Sequence, residues 1–340
     1  GNEIENIQKV ISSGHISGNG KFTKKIENFF NINFGLKSTF VTTSCTDALE
    51  MTGLLSNINS ESEIIIPSYT FVSSANAFAL RGAKIIFADS EKYTPNIDAN
   101  KISELITKKT KAILVMHYGG VACDMDKIMK IASKNNLIVI EDAAQAINSF
   151  YKGVPLGSIG NFGTFSFHQT KNIVCGEGGL LSVNDRSFKK RAEIIYEKGT
   201  NRSQFIRGEV EKYGWVDVGS SFLASEIISA FLYAQLEKIE IIQKSRMTIW
   251  NRYKKNLIGL LKINKNILPK IPDYATNNGH VFYITCNNLR ERKKLIKFLN
   301  NNGVQASFHY SALHDSEFFK DRYYGEKLTE SIKWSECLLR

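Results

Sequence analysis

Residues 137–146 read Leu-Ile-Val-Ile-Glu-Asp-Ala-Ala-Gln-Ala, an apolar strand that runs into two acids and then small residues. A strand without polar alternation belongs in a sheet covered on both faces, the habit of parallel sheets. Ligands in such sheets gather at the carboxyl ends of the strands, where Asp142 falls. A carboxylate there can cap a helix, hold a metal, or keep a pyridine nitrogen protonated so that the ring acts as an electron sink. Strands and helices alternate around this run. Glu63–Pro67, Lys84–Ala88, Ala112–Met116 and Gly163–His168 read as strands, and Asn100–Thr107 and Asp126–Lys134 as helices. This rhythm predicts an α/β fold with a mostly parallel sheet.

Lys171 follows the Gly163–His168 strand, in which Phe165 and Phe167 alternate with polar residues. An ammonium near apolar groups loses hydration, and its pKa falls. A partly neutral amine can attack a carbonyl and form a Schiff base. The plainer reading is one more surface lysine in a basic chain. Gly176-Glu-Gly-Gly179 does not open a helix after the first strand, so it is no dinucleotide fingerprint. It lets the backbone pass close to Lys171.

Thr42 to Thr46 is a polar turn leading into a helix through Leu55. The amides of Cys45 and Thr46, with the Thr46 hydroxyl, suit a phosphate at the helix N-terminus, although ordinary capping uses the same residues. Glu63–Pro67 leads to Ser68-Tyr-Thr-Phe71, read as the start of a helix. Phe22 to Phe30 reads as an amphipathic helix, and Phe222 through Leu260 as one long helical pattern. His280–Cys286 and Val304–His309 read as strands flanking a helix, Glu291–Asn300. Arg202 and Tyr213 fall in a polar loop, where they touch a substrate carboxylate or phosphate or simply face solvent. The chain thus divides into a large α/β domain, 1–235, and a smaller C-terminal α/β domain, 236–340.

With 340 residues and 43% hydrophobic content, a large core can form. The net charge of +11 suits an anionic partner. Its lysines are scattered, with no basic stripe interleaved with aromatics, which argues against nucleic acid and for a phosphorylated small molecule. No apolar run spans a membrane and no signal pattern opens the chain, so a cytoplasmic location is expected. The five cysteines lack metal-like spacing and are expected to be reduced.

Thr42-Thr-Ser-Cys-Thr-Asp-Ala-Leu49, Pro67-Ser-Tyr-Thr-Phe71, Glu141-Asp-Ala-Ala-Gln145 and Ser166-Phe-His-Gln-Thr-Lys171 occur in order. Together they resemble the DegT/DnrJ/EryC1/StrS sugar aminotransferase family over nearly the whole chain. Val115–Asp124, Glu197–Phe205 and Phe308-His-Tyr310 carry a closer resemblance, to the members that aminate dTDP-4-dehydro-6-deoxy-D-glucose. Members of the family run further at both ends, which implies a chain that is part of a longer protein.

The resemblance implies a PLP-dependent transferase of fold type I and a homodimer. L-glutamate would be the amino donor and a nucleotide-linked keto-sugar the acceptor. Lys171 would carry the pyridoxal phosphate, Asp142 face its ring nitrogen, Phe71 stack on the ring and Gln145 contact the phenolic oxygen. Thr46, Cys45 and Ser166 would hold the phosphate, and His309 and Tyr310 border the sugar. Many members carry Gly-x-Asn-x-Arg where this chain has Gly219-Ser-Ser-Phe-Leu223, so Ser221 stands where an Asn reaches the neighbouring subunit's phosphate. A hydroxyl can still make that bond. Two rivals remain. Some members are dehydratases, but these have His in place of the lysine. A non-catalytic regulatory paralogue would not be expected to keep Lys171, Asp142, Gln145 and Ser166 together.

Overall fold

The computed structural model describes residues 1–262 and 268–340. Seven strands form the main sheet: β1 (Thr39–Thr42), β2 (Glu63–Pro67), β3 (Lys84–Ala88), β4 (Thr110–Met116), β5 (Ile138–Asp142), β6 (Phe162–Ser166) and β7 (Gly179–Val183). Their spatial order is β1-β7-β6-β5-β4-β2-β3. The pairs from β3 across to β6 are parallel, and β7 runs antiparallel to both of its neighbours.

Both faces of this sheet are covered, as the apolar strands require. Val41, Ile65, Ile113, Val139, Phe165 and Leu180 pack on one face with Ile26 and Phe30 of the helix Lys21–Phe34. Phe40, Ile64, Ile66, Leu114, Ile140, Phe162 and Leu181 pack on the other with Leu49 and Leu55 of the helix Cys45–Leu55. Neighbouring residues alternate between the two cores, the period of two that a strand imposes.

The same alternation separates the two acids at the end of β5. Glu141 turns away from Asp142 and is fully buried. It accepts hydrogen bonds from the Gly157, Ile159 and Gly160 amides at 2.6–2.8 Å and from His117 Nε2 at 3.0 Å. His117 Nδ1 accepts from the Cys123 amide at 3.2 Å, so the ring carries its proton on Nε2. A buried carboxylate persists where donors surround it, and this one ties the 157–160 loop to the sheet.

Several expected elements change on folding. No helix starts at Ser68. Residues 68–72 form a turn whose side chains bond elsewhere, and the helix begins at Ser73 (Ser73–Ala79). Asn100–Thr107 is only a short helix, Ala99–Ile102, with a 3₁₀ turn, Ser103–Leu105. Arg202 opens a short helix, Arg202–Ile206, rather than lying in a loop. The long pattern from Phe222 is two helices, Glu226–Leu236 and Ile239–Leu257, broken where the Lys238 amide bonds Gln235 O in a tightened turn. Of His280–Cys286 only β8 (Ile284–Thr285) is a strand, and it pairs antiparallel with β9 (Leu338–Leu339). Val304–His309 forms no strand; only Phe308 bridges, to Leu339. The helices Leu289–Asn301 and Thr329–Cys337 pack with this pair. No helix among the described residues is long and apolar enough to cross a membrane.

Candidate active site

Strand ends of the main sheet converge on a cavity of about 600 Å³. Met116, Asp142 and Ser166 are the last residues of β4, β5 and β6, and all three line it. Cys45 and Thr46, opening the helix after β1, form another wall, and Phe308 to Ser311 with Arg340 a third. Of the residues singled out in the sequence, Cys45, Thr46, Phe71, Asp142, Gln145, Ser166, Lys171, His309 and Tyr310 meet here. A larger groove, about 800 Å³ along edge strand β3, contains none of them.

Lys171 sits in a closed loop between β6 and β7. Phe167 and Gln169 amides donate to Gly178 O and Gly176 O at 2.8 and 2.9 Å, and the Cys175 amide donates to Phe167 O at 2.8 Å. The Lys171 amide bonds His168 O at 2.8 Å, and its carbonyl accepts from Arg246 Nη2 at 3.1 Å. The backbone is thereby fixed while the amine enters the cavity. Burial lowers the pKa of that amine; Cys45 and Asp142 oppose the shift and Arg340 adds to it. An amine pushed this way spends more time neutral, the state a nucleophile needs.

Asp142 Oδ1 accepts from the Ala144 amide at 3.1 Å, and Oδ2 from Ser74 Oγ at 2.7 Å. Gln145 is held at both ends: Oε1 accepts from the Gly119 amide at 2.6 Å, and Nε2 donates to Tyr310 Oη at 2.7 Å.

Capping of the helix Cys45–Leu55 falls to Ser44. Its Oγ accepts from the Asp47 amide at 3.0 Å and its carbonyl from the Ala48 amide at 3.2 Å. The Cys45 and Thr46 amides therefore keep no protein acceptor among the described residues. Thr46 Oγ1 donates to Ser73 Oγ at 2.9 Å. Two free amides at the positive end of a helix make an anion cup. Gly179, the first residue of β7, lies directly behind it. A Cβ there would meet Ser44 C and Cys45 N at 2.3 and 2.4 Å, both backbone atoms. Gly179→Ala should therefore push the turn out of place, costing about 1–3 kcal/mol of stability by overpacking. We expect pyridoxal phosphate affinity to fall roughly tenfold or more, the effect of losing one charge-assisted hydrogen bond. A fluorescence titration showing undiminished affinity would place the phosphate elsewhere.

His309 and Tyr310 line the same cavity as Phe71. The Tyr118 hydroxyl contacts His309 Nδ1 at 3.1 Å, and the hydroxyls of Tyr69 and Tyr118 both donate to His309 O. Burial, then the charges of Arg340 and Lys171, depress the His309 imidazole to about 3, so it is neutral at physiological pH. Phe71 stays half open to solvent, its ring 5.8 Å from that of Tyr310.

Sequence reasoning missed His280, Ser73, Ser74 and Arg340. His280 lines the cavity, with Nδ1 2.8 Å from Asn172 Oδ1. Each depends on a partner far away in the chain, and only the Ser73-Ser74 pair, close behind the Pro67–Phe71 motif, carried a local hint. Two anticipated residues stay outside the cavity of their own chain. Ser221 is exposed and bridged to Glu197 by backbone pairing. Arg202 also reaches Glu197, with Nη1 3.4 Å from Oε2.

Free helix amides, a strand-end hydroxyl, a lysine of lowered pKa and a carboxylate held by two donors fit pyridoxal phosphate. Fold and site define a fold-type I, PLP-dependent aminotransferase. The chain belongs to the DegT/DnrJ/EryC1/StrS aminotransferase family, whose profile matches residues 1–339. It is 30% identical over 338 residues to the GDP-perosamine synthase of Escherichia coli O157:H7, covering 98% of this chain and 88% of that protein. The aminotransferase TlmJ from Streptoalloteichus hindustanus has the same fold, with TM-score 0.89 and 25% identity over 100% of this chain and 89% of that one. So does Spr1654 from Streptococcus pneumoniae in its PLP form, with TM-score 0.88 and 23% identity over 99% of this chain and 89% of that one. The chain is a sugar aminotransferase.

Proposed function

We propose that this enzyme moves an amino group from L-glutamate to C4 of a nucleotide-linked 4-keto-6-deoxy sugar, dTDP-4-dehydro-6-deoxy-D-glucose, for surface polysaccharide synthesis. The observation that carries the reading is Lys171, with its lowered pKa, in one cavity with Asp142 and the free Cys45 and Thr46 amides. Bound pyridoxal phosphate supplies an electron sink for exchange of the amine. Lys171 Nζ would take and return the proton at the donor's α-carbon. Asp142 holds the proton on the ring nitrogen. Cys45, Thr46 and Ser166 bind the phosphate, Gln145 orients the phenolic oxygen, and Phe71 covers the ring. His309 and Tyr310 face the sugar.

The test is incubation with L-glutamate and a panel of dTDP- and GDP-linked 3-keto and 4-keto sugars, with products identified by NMR. A 4-amino-4,6-dideoxy product from the dTDP sugar is expected. Amination at C3, or of no panel sugar, would overturn the proposal. The similarity to a GDP-perosamine synthase favours a second reading, in which the nucleotide is GDP. The same panel separates the two.

The proposal includes a homodimer in which Ser221 and Arg202 serve the partner's site. Both lie outside their own cavity, and Trp215 beside them is 83% exposed in the single chain. Ser221→Glu would place a carboxylate against the phosphate and repel it. Inactive Lys171→Ala and Ser221→Glu chains, refolded together, should regain about a quarter of wild-type activity, since half of the dimers carry one intact site. Mixed dimers that form but stay inactive would mean that each lesion acts in its own chain's site, and would reject the shared site.

A further inference from the structure

The reading of Asp142 as the ring-nitrogen partner leaves open what aims this carboxylate, and the structure shows a second layer behind it. Ser74 is fully buried, on the short helix Ser73–Ala79, and its hydroxyl lies 2.7 Å from Asp142 Oδ2. Thr70, also buried, places Oγ1 2.8 Å from Ser74 Oγ. A carboxylate only accepts hydrogen bonds, and a serine hydroxyl has a single proton. With that proton committed to Asp142, the Thr70–Ser74 contact must run from Thr70. The chain of hydroxyls has one direction, Thr70 to Ser74 to Asp142. The Ala144 amide fixes the other oxygen at 3.1 Å. Both carboxylate oxygens are thus anchored on the protein side by hydrogen bonds, which sets the rotamer.

We propose that Ser74 is the positioning residue of Asp142, and that the Thr70–Ser74 hydroxyl chain holds the carboxylate aimed at the ring nitrogen of the bound cofactor. Ser74 lies 68 positions before Asp142 in the chain. The turn of residues 68–72 brings it there, because Ser68 and Tyr69 are pinned from the C-terminal side, Ser68 Oγ to His314 Nδ1 at 2.6 Å and Tyr69 Oη to His309 O. Neither Thr70 nor Ser74 lines the cavity, so both act through the carboxylate.

The test uses the full PLP-loaded enzyme and four variants: Ser74→Ala, Ser74→Thr, Thr70→Val and Asp142→Asn. Two quantities are read, the pH at which the bound cofactor changes colour and the single-turnover rate with L-glutamate. In Ser74→Ala a carboxylate free to turn holds the ring proton less well. The ring then carries less positive charge, and the colour change moves to higher pH. The rate should fall about 10- to 100-fold, the value of one hydrogen bond to a charged group, with the glutamate concentration for half-saturation unchanged. Ser74→Thr restores the hydroxyl and should return both quantities to near wild type. Thr70→Val should shift both in the same direction by less, and it reports on the chain even if Ser74→Ala fails to fold. An unmoved colour change with a wild-type rate in Ser74→Ala, whatever its melting temperature, would reduce Ser74 to a core hydroxyl and overturn the proposal. Asp142→Asn keeps the two ideas apart. If it works normally, the role of Asp142 itself fails; if it is impaired while Ser74→Ala is not, only the role of Ser74 fails.

Discussion

Lys171→Ala should abolish turnover while leaving the fold intact. Proton transfer by a positioned side chain is worth about 10²–10⁴-fold on its own. Losing the covalent tether to the cofactor adds to that, so a fall in kcat of about 10⁴-fold or more is expected. The fold should survive because the hydrogen bonds of the residue are made by its backbone, to His168 O and from Arg246. Removing a buried amine also relieves the desolvation that depresses its pKa. Borohydride treatment of the wild-type enzyme should fix the cofactor to the peptide containing Lys171, and peptide mapping of the variant should find no such adduct. Wild-type-like turnover in the variant, or an adduct on another lysine, would remove Lys171 from the chemistry.

Asp142→Asn carries the second largest effect. Both oxygens of Asp142 accept hydrogen bonds, from Ser74 Oγ and from the Ala144 amide. An amide that keeps its oxygen toward the Ala144 N–H turns its NH2 toward Ser74, whose hydroxyl can accept instead of donate, so the loss of stability is small. The larger loss is catalytic, because an amide cannot hold the pyridinium proton. Removing one preorganised electrostatic partner typically costs about 10²–10³-fold in kcat, and a loss of that order is expected. Circular dichroism should remain native-like. Normal kcat in Asp142→Asn would assign the electron-sink role to another group.

Much of the central sheet, and the placing of Lys171 and Asp142 at its strand ends, was legible in the sequence because both depend on local features. Continuous apolar runs such as Ile64 to Ile66 and Ile138 to Ile140 need cover on both faces, whatever covers them. The end of such a strand is also where a parallel sheet opens, and Asp142 and Ser166 sit at those ends. The boundaries of β2 and β3 follow the apolar runs directly. Where the local pattern failed, the partner was distant. Val304–His309 has strand-like residues, but its pairing stops at one isolated bridge, Phe308 to Leu339, flanked by the Ser307–Arg340 backbone bonds. Periodicity continued from Phe222 to Leu260 because a tightened turn at Glu237 and Lys238 separates the two helices by only two residues.

The sequence by itself determined an α/β chain with parallel strands, a lysine just past one strand and a carboxylate at the end of its neighbour. It also determined the family. Tertiary structure alone decided that β7 inserts antiparallel between β1 and β6, which brings Gly179 against the Ser44–Cys45 turn. It decided that Ser44 rather than Thr46 caps the helix, which leaves two amides free. It turned Glu141 into the core and Asp142 into the cavity, joined Gln145 to Tyr310 across 165 positions, and placed Ser74 behind Asp142. The physical reason is common to all of these. Strand period and end position are properties of a few adjacent residues. A hydrogen bond between distant side chains exists only after packing has chosen which surfaces meet, and no local pattern records that choice.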